Sequence, residues 1–293
     1  MLRIGCELRD GNQMPESFLE MGKIAKDIGA NTFQYTLYLP ENKSKSNPKP
    51  SSAVRFDYED ISAFLKYTKE NNISHYIAHA AQTMHLCAEK EDTRDKSIKM
   101  LRKDIKNLEN LPNALYVVHP GSRGKQSLEE GIDHVINALQ SVLTNEQTVT
   151  VLLETMSGKG NEVGGSFDEI SKIINGVIKD NDALSDKIGV CFDTCHVFDA
   201  GYDIVNNLEG VIDEFKQKIG LDRLKAVHIN DSKNDLGERK DRHEKIGDGY
   251  IGLDTFKRTI NHPKLRNLPF ILETRHNWDG YKEEIELLRG QCI

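Results

Sequence analysis

The chain has 293 residues, a length that suits either two ordinary domains or one large α/β barrel, which runs to about 250 residues. Hydrophobic residues make up 38% and charged residues 29%, which excludes a disordered chain and leaves enough apolar matter for a core. The formal net charge of −7 offers no basic surface to phosphates; three bound divalent cations would bring it to −1 and make the local field positive, so charge does not exclude a nucleic-acid partner.

In chain order, the first eight residues mix arginine with glutamate and hold no apolar run of signal-peptide length. No later segment is long enough to span a membrane, so a non-secreted protein is expected. Short β-branched or apolar runs then recur at residues 2–7, 32–37, 74–80, 114–119, 148–154, 188–193, 224–229 and 269–273, eight in all. Amphipathic stretches alternate with them, among them 58–70, 128–143 and 167–178. Ser127 with Glu130, and Ser166 with Glu169, read as capping boxes that open two of these helices. Residues 40–52, with Lys43, Lys45 and Lys49, read as a loop rather than a linker. Alternating strand and helix implies a parallel sheet, and eight repeats is the number that closes on itself. The expected fold is therefore an α/β protein, a (β/α)8 TIM barrel forming one domain over residues 1–293, with the open doubly wound sheet as the alternative. The five cysteines (Cys6, Cys87, Cys191, Cys195, Cys292) are odd in number and scattered, so reduced thiols are expected.

Six of the eight runs end in a side chain that binds metals: His79, His119, Glu154, Asp193 with His196 three residues on, His228 and Glu273. A later loop adds Asp241 and His243. In a barrel the C-terminal ends of all strands meet at one mouth, so these nine would converge there. A single histidine is ordinarily packing or surface, but five of the ten histidines fall in this set. Imidazoles with carboxylates and no thiolate cluster suit zinc better than magnesium, and nine ligands would serve three ions.

The runs His119-Pro-Gly, Leu-Leu-Glu154-Thr-Met-Ser-Gly-Lys-Gly, Cys191-Phe-Asp193-Thr-Cys-His196, His228-Ile-Asn-Asp-Ser-Lys, Asp241-Arg-His243-Glu-Lys-Ile-Gly-Asp-Gly and Leu-Glu273-Thr resemble the signature segments of the endonuclease IV family. The likeness spans residues 74–293. It implies a zinc-dependent AP endonuclease of DNA repair, with three zinc ions per chain and manganese as an alternative occupant of one position. One ion would be held by His79, His119 and Glu154, a second by Glu154, Asp193, His228 and Glu273, and a third by His196, Asp241 and His243. Glu154 and Glu273 would be the catalytic carboxylates, Glu154 as a bridge and Glu273 orienting the attacking water. Hydroxide between two cations is nucleophilic at neutral pH and would attack phosphorus in line. The implied reaction is hydrolysis 5′ to an abasic site, leaving a 3′-hydroxyl and a 5′-deoxyribose phosphate, with cleaning of blocked 3′ ends. The implied partner is double-stranded DNA met by a monomer, in the cytoplasm or wherever the DNA resides.

Other features carry less. The loop 158–165 has neither dinucleotide nor P-loop spacing, and close approach of its backbone to the site is expected. Cys191 and Cys195 read as packing, and His85 lies near the mouth. Arg123, Lys125, Lys159, Lys233, Arg239, Lys240, Arg242 and Lys245 fall in loops after strands, either as solvated surface or as phosphate contacts. Gln82 and Thr83 stand where family members typically place a tyrosine and a leucine against DNA, and Arg275 where they tend to carry proline. These departures bear on how a nucleotide would be turned out of the stack, not on the ligands. Two further readings compete: a sugar isomerase or epimerase on a similar barrel, and a non-catalytic lesion-binding protein.

Overall fold

The computed structural model describes residues 2–8, 15–37, 56–274 and 276–293; the lysine-bearing segment 40–52 and Arg275 lie outside the described residues. Eight parallel strands form one sheet: β1 (Arg3–Cys6), β2 (Phe33–Thr36), β3 (Tyr76–His79), β4 (Leu115–Val118), β5 (Thr150–Glu154), β6 (Ile188–Asp193), β7 (Leu224–His228) and, after a ribbon of β8 (Asp231–Ser232) and β9 (His243–Glu244), β10 (Pro269–Leu272). The order β1-β10-β7-β6-β5-β4-β3-β2 wraps round, and the Leu8 N–H donates to the Gln34 carbonyl at 2.8 Å beside a parallel bridge of Glu7 with Gln34. The expected TIM barrel is the fold, and all eight predicted runs contain its strands.

The strand sequences dictate two cores. Side chains alternate across a strand, so one face points into the barrel and the other toward the helices. Tyr116 and Val118, Val151 and Leu153, and Val190 and Phe192 point outward into the large core under the helices. Ile77, Val117, Leu152, Cys191, Ala226 and Ile271 form a second, separate cluster inside the barrel. Gly5 lets β1 approach the β2 side of the barrel, because a methyl there would sit 1.7 Å from the Thr32 carbonyl oxygen.

The outer layer holds α1 (Phe18–Asp27), α2 (Tyr58–Glu70), α3 (Glu91–Leu108), α4 (Leu128–Gln140), α5 (Phe167–Ile178), α7 (Ile204–Lys218), α8 (Leu253–Asn261) and α9 (Trp278–Gly290). A short helix, α6 (Thr194–Asp199), starts directly at the end of β6. Ser127 and Glu130 make the full reciprocal box at α4. At α5 only half of it forms. The Ser166 hydroxyl accepts from the Glu169 N–H, while the Glu169 carboxylate turns to the N–H groups of Gly164 and Gly165. That choice ties the glycine loop to the helix instead of capping it twice. Among the described residues no helix is long and apolar enough to cross a membrane. All five cysteines are free, four of them buried.

Candidate metal centre

The inner cluster explains why the metal-binding side chains meet. His79, His119, Glu154, Asp193, His228 and Glu273 each stand two residues beyond Ile77, Val117, Leu152, Cys191, Ala226 and Ile271 respectively. With a side-chain period of two, a residue two past an inward apolar one also faces inward, one layer higher. The strand pairing sets them side by side, with Asp193 opposite His228 and Ile271 also opposite His228. Six polar residues thus form the layer that closes the apolar interior at the mouth.

The remaining three arrive by other routes. Asp193 caps α6, its Oδ1 accepting from the His196 N–H at 2.8 Å, and the first turn of that helix swings His196 over the layer. Asp241 comes from the loop between β8 and β9, and His243 opens β9, where it pairs with Ser232. The segment that follows β9 folds back on the buried Asp231 carboxylate of β8, which accepts from the N–H groups of Gly247, Gly249, Ile251 and Gly252 as well as from Ser232. Gly249 is required there, since a Cβ would lie 2.4 Å from the Ser232 carbonyl oxygen.

Among the described residues three groups result in which one ligand atom per residue lies within 4.8 Å of all the others: His79, His119 and Glu154; Glu154, Asp193, His228 and Glu273; and Asp193, His196 and His243. Glu154 is shared between the first two, its Oε2 facing His119 at 2.9 Å and His79 at 3.1 Å and its Oε1 facing His228 and His196 at 3.2 Å each. Asp241 Oδ1 stands 3.1 Å from His196 Nε2 and 3.7 Å from His243 Nε2. Asp193 belongs to two groups, which the sequence reading did not foresee.

Electrostatics and hydrogen bonding fit this donor set to cations. Buried carboxylates repel unless compensated, and among the described residues the ion pairs of Glu154, Asp193 and Glu273 are with imidazoles alone. Burial pushes the Glu154 carboxyl up, but His119 and His228 outweigh it and hold it well below the usual carboxylate range. For Asp193 burial wins and the carboxyl is raised. Burial would lower the His196 and His228 imidazoles, yet the surrounding acidic groups, Asp193 first for His196 and Cys191 and Glu273 for His228, carry both well above their ordinary value. In His79, His196 and His243, Nδ1 lies 2.8 to 3.1 Å from a main-chain carbonyl, that of Ala80, Thr155 and Glu273. Each Nδ1 therefore donates, and in the neutral ring that a cation would require, Nε2 would present its lone pair to the groups. Among the described residues the His243 Nε2 is buried without a hydrogen-bond partner, as an atom awaiting a ligand bond would be.

Several supporting residues escaped the sequence reading. Asn230 donates to Asp193 Oδ2 at 2.7 Å and accepts from the Glu273 N–H at 2.7 Å, locking the two strand ends together. The Thr155 hydroxyl accepts from the Asp193 N–H at 3.0 Å. Gln34 reaches the site from β2. The available signal was a polar residue interrupting or directly following an apolar strand. Gly165 comes within 2.8 Å of the Gly158 Cα by its missing Cβ, so the glycine loop folds on itself, and Gly158 faces the Arg239 side chain. His85 is exposed and lines a small cleft of about 90 Å³ with His79, Gln82, Met84, His119 and Glu162. Lys125, Lys159, Lys233, Arg239, Lys240, Arg242 and Lys245 are exposed, and Lys233 and Lys240 pair with Glu244 and Glu238. Cys191 lies beneath His228 in the inner core, its thiol pushed up to about 11 by burial, and makes no part of the three groups.

The fold and its ring of imidazoles and carboxylates define a barrel with a candidate metal centre at its mouth, and over residues 23–291 the chain matches the family described as xylose isomerase-like TIM barrel. It is 49% identical over 290 residues to the "Probable endonuclease 4" of Clostridium beijerinckii, covering 99% of each chain. It is 48% identical over 289 residues to that of Alkaliphilus oremlandii, covering 99% of this chain and 97% of that one. The crystal structure of endonuclease IV from Thermus thermophilus superimposes with a TM-score of 0.79 at 27% identity, covering 99% of this chain and 98% of the other. The chain belongs to the endonuclease IV family.

Proposed function

We propose that this protein is a zinc-dependent AP endonuclease, hydrolysing the DNA backbone 5′ to abasic sites to leave a 3′-hydroxyl and a 5′-deoxyribose phosphate, and clearing blocked 3′ ends with the same site. The observation that carries this reading is the trio of adjoining groups sharing Glu154 and Asp193, in a chain nearly half identical to a named endonuclease. His79, His119 and Glu154 would hold one ion, and Glu154, Asp193, His228 and Glu273 a second. His196, Asp241 and His243 would hold a third, with Asp193 at its edge. Zinc suits the mixed nitrogen and oxygen donors, with manganese the alternative at one position. Such ions supply activated water at neutral pH and neutralise charge on a reacting phosphate.

The chain's own residues do the rest. Glu273 is partly exposed at the mouth, and although burial pushes its carboxyl up, His228 brings it below its ordinary value, so it is ionised and able to accept a hydrogen bond from water. Glu154 stays charged, both its oxygens in contact with imidazoles, four in all. The exposed lysines and arginines of the mouth offer phosphate contacts that position without reading sequence. A duplex must reach this mouth, which favours a monomer.

A sugar isomerase or epimerase would use the same barrel, but needs no third group, whereas here a dedicated ribbon delivers Asp241 and His243. The test is a duplex carrying one tetrahydrofuran abasic analogue, incubated with zinc-loaded protein. Nicking 5′ to the analogue that is abolished by chelation and by Glu273→Gln supports the proposal. Intact duplex alongside turnover of a keto sugar would establish the rival; binding without cutting would establish a lesion-recognition protein.

A further inference from the structure

Strand β2 lends no member to the three groups, yet Gln34 on it is fully buried and uses both ends of its carboxamide there. Its Nε2 donates to Glu273 Oε1 at 2.6 Å, and its Oε1 stands 2.8 Å from His228 Nε2. The two partners belong to one group with Glu154 and Asp193, and they come from opposite sides of the β7–β10 pairing.

Only one arrangement of hydrogens satisfies these contacts. The carboxylate is acceptor-only, so the amide nitrogen must face it, which turns the amide oxygen to the imidazole. The His228 Nε2 then carries the hydrogen, and in the neutral ring Nδ1 is left with a bare lone pair. That atom is the one directed at the group, 3.2 Å from Glu154 Oε1 and 3.3 Å from Glu273 Oε2. On Glu273 the same contact occupies Oε1 and leaves Oε2 for the group.

We propose that Gln34 is a positioning residue that sets the tautomer of His228 and the rotamer of Glu273, and through both the affinity of the Glu154, Asp193, His228 and Glu273 group for its cation. This rests on reading that group as a metal site. A partner that orients a ligating histidine contributes about 10- to 100-fold to metal affinity.

The test is zinc release from the full chain, followed by competition with a chromophoric chelator, in wild type, Gln34→Met and Gln34→Glu. Methionine fills the space and removes both contacts; glutamate keeps an acceptor for His228 but places a carboxylate against Glu273. The expected result is that one of the three stepwise zinc constants weakens about 10- to 100-fold in Gln34→Met while the other two hold. Gln34→Glu should weaken the same constant. In a Glu273→Ala background the Gln34→Met effect should shrink, and cobalt bound in place of zinc should show altered visible absorption in Gln34→Met. Unchanged constants, or equal weakening of all three with a lowered unfolding temperature of the metal-free protein, would overturn the proposal. Wild type that binds no zinc would instead refute the metal reading, and this inference with it.

Discussion

Glu154 and Glu273 are both carboxylates of one group, but their surroundings give them different work. Glu154 is 1% exposed and touches imidazoles with both oxygens, whereas Glu273 sits at the open edge with one oxygen held. Glu154→Ala should therefore empty two adjoining groups at once, and metal analysis after gel filtration should show at least two fewer ions per chain than wild type. Glu273→Gln should keep most of its metal and lower kcat on an abasic duplex by about 100-fold or more, the range of a lost general base. Retention of wild-type kcat by Glu273→Gln would remove it from the chemistry. At this scale the sequence was informative because strand ends are marked: all nine side chains that gather at the mouth could be named beforehand. Gln34 and Asn230 could not, because what they touch depends on how the sheet closes and on which carboxylate oxygen is left free.

Among the elements, the β8–β9 ribbon was invisible in sequence. Its strands are two residues long, too short for any periodicity, and the segment after β9 is folded back on β8 by Asp231 accepting main-chain N–H groups from residues up to 21 apart. Asp231→Ala would leave those buried donors without an acceptor, at about 1 to 3 kcal/mol for each one that water fails to reach. Urea unfolding should accordingly show a loss of about 2 to 4 kcal/mol. Zinc should leave the Asp241 and His243 position first; a stability within roughly 0.5 kcal/mol of wild type, the scatter of a surface change, would contradict the role assigned to the cradle. Barrel strands, by contrast, were legible because burial on both faces writes them as continuous apolar runs. The α6 turn was hidden inside the Asp193 and His196 spacing, where three residues served as a cap and its helix rather than as an extension of the strand.

For the whole molecule, the mouth couples stability to pH. Without metal, His79, His196 and His228 have raised values in the folded state, so they stabilise it fully below the unfolded imidazole value of about 6.5 and lose that contribution as pH rises through their folded values. Glu154, Glu273 and Asp241 are lowered, so their contribution is present above the unfolded carboxylate range and is lost as pH falls through their folded values. Metal-free protein should thus be most stable at about pH 5 to 6.5 and lose stability toward pH 8. Cations displace those protons, so the gap in unfolding temperature between zinc-loaded and metal-free protein should widen from about pH 6 to about pH 8. A gap independent of pH would separate the imidazoles from the metal.

The central claim, that the barrel mouth is a three-cation site, is tested most directly by a zinc-edge anomalous difference map of crystals of the zinc-loaded protein. The account predicts three peaks, against the His79, His119 and Glu154 group, the Glu154, Asp193, His228 and Glu273 group, and the Asp193, His196 and His243 group beside Asp241. A single peak, or peaks away from these side chains, would contradict it.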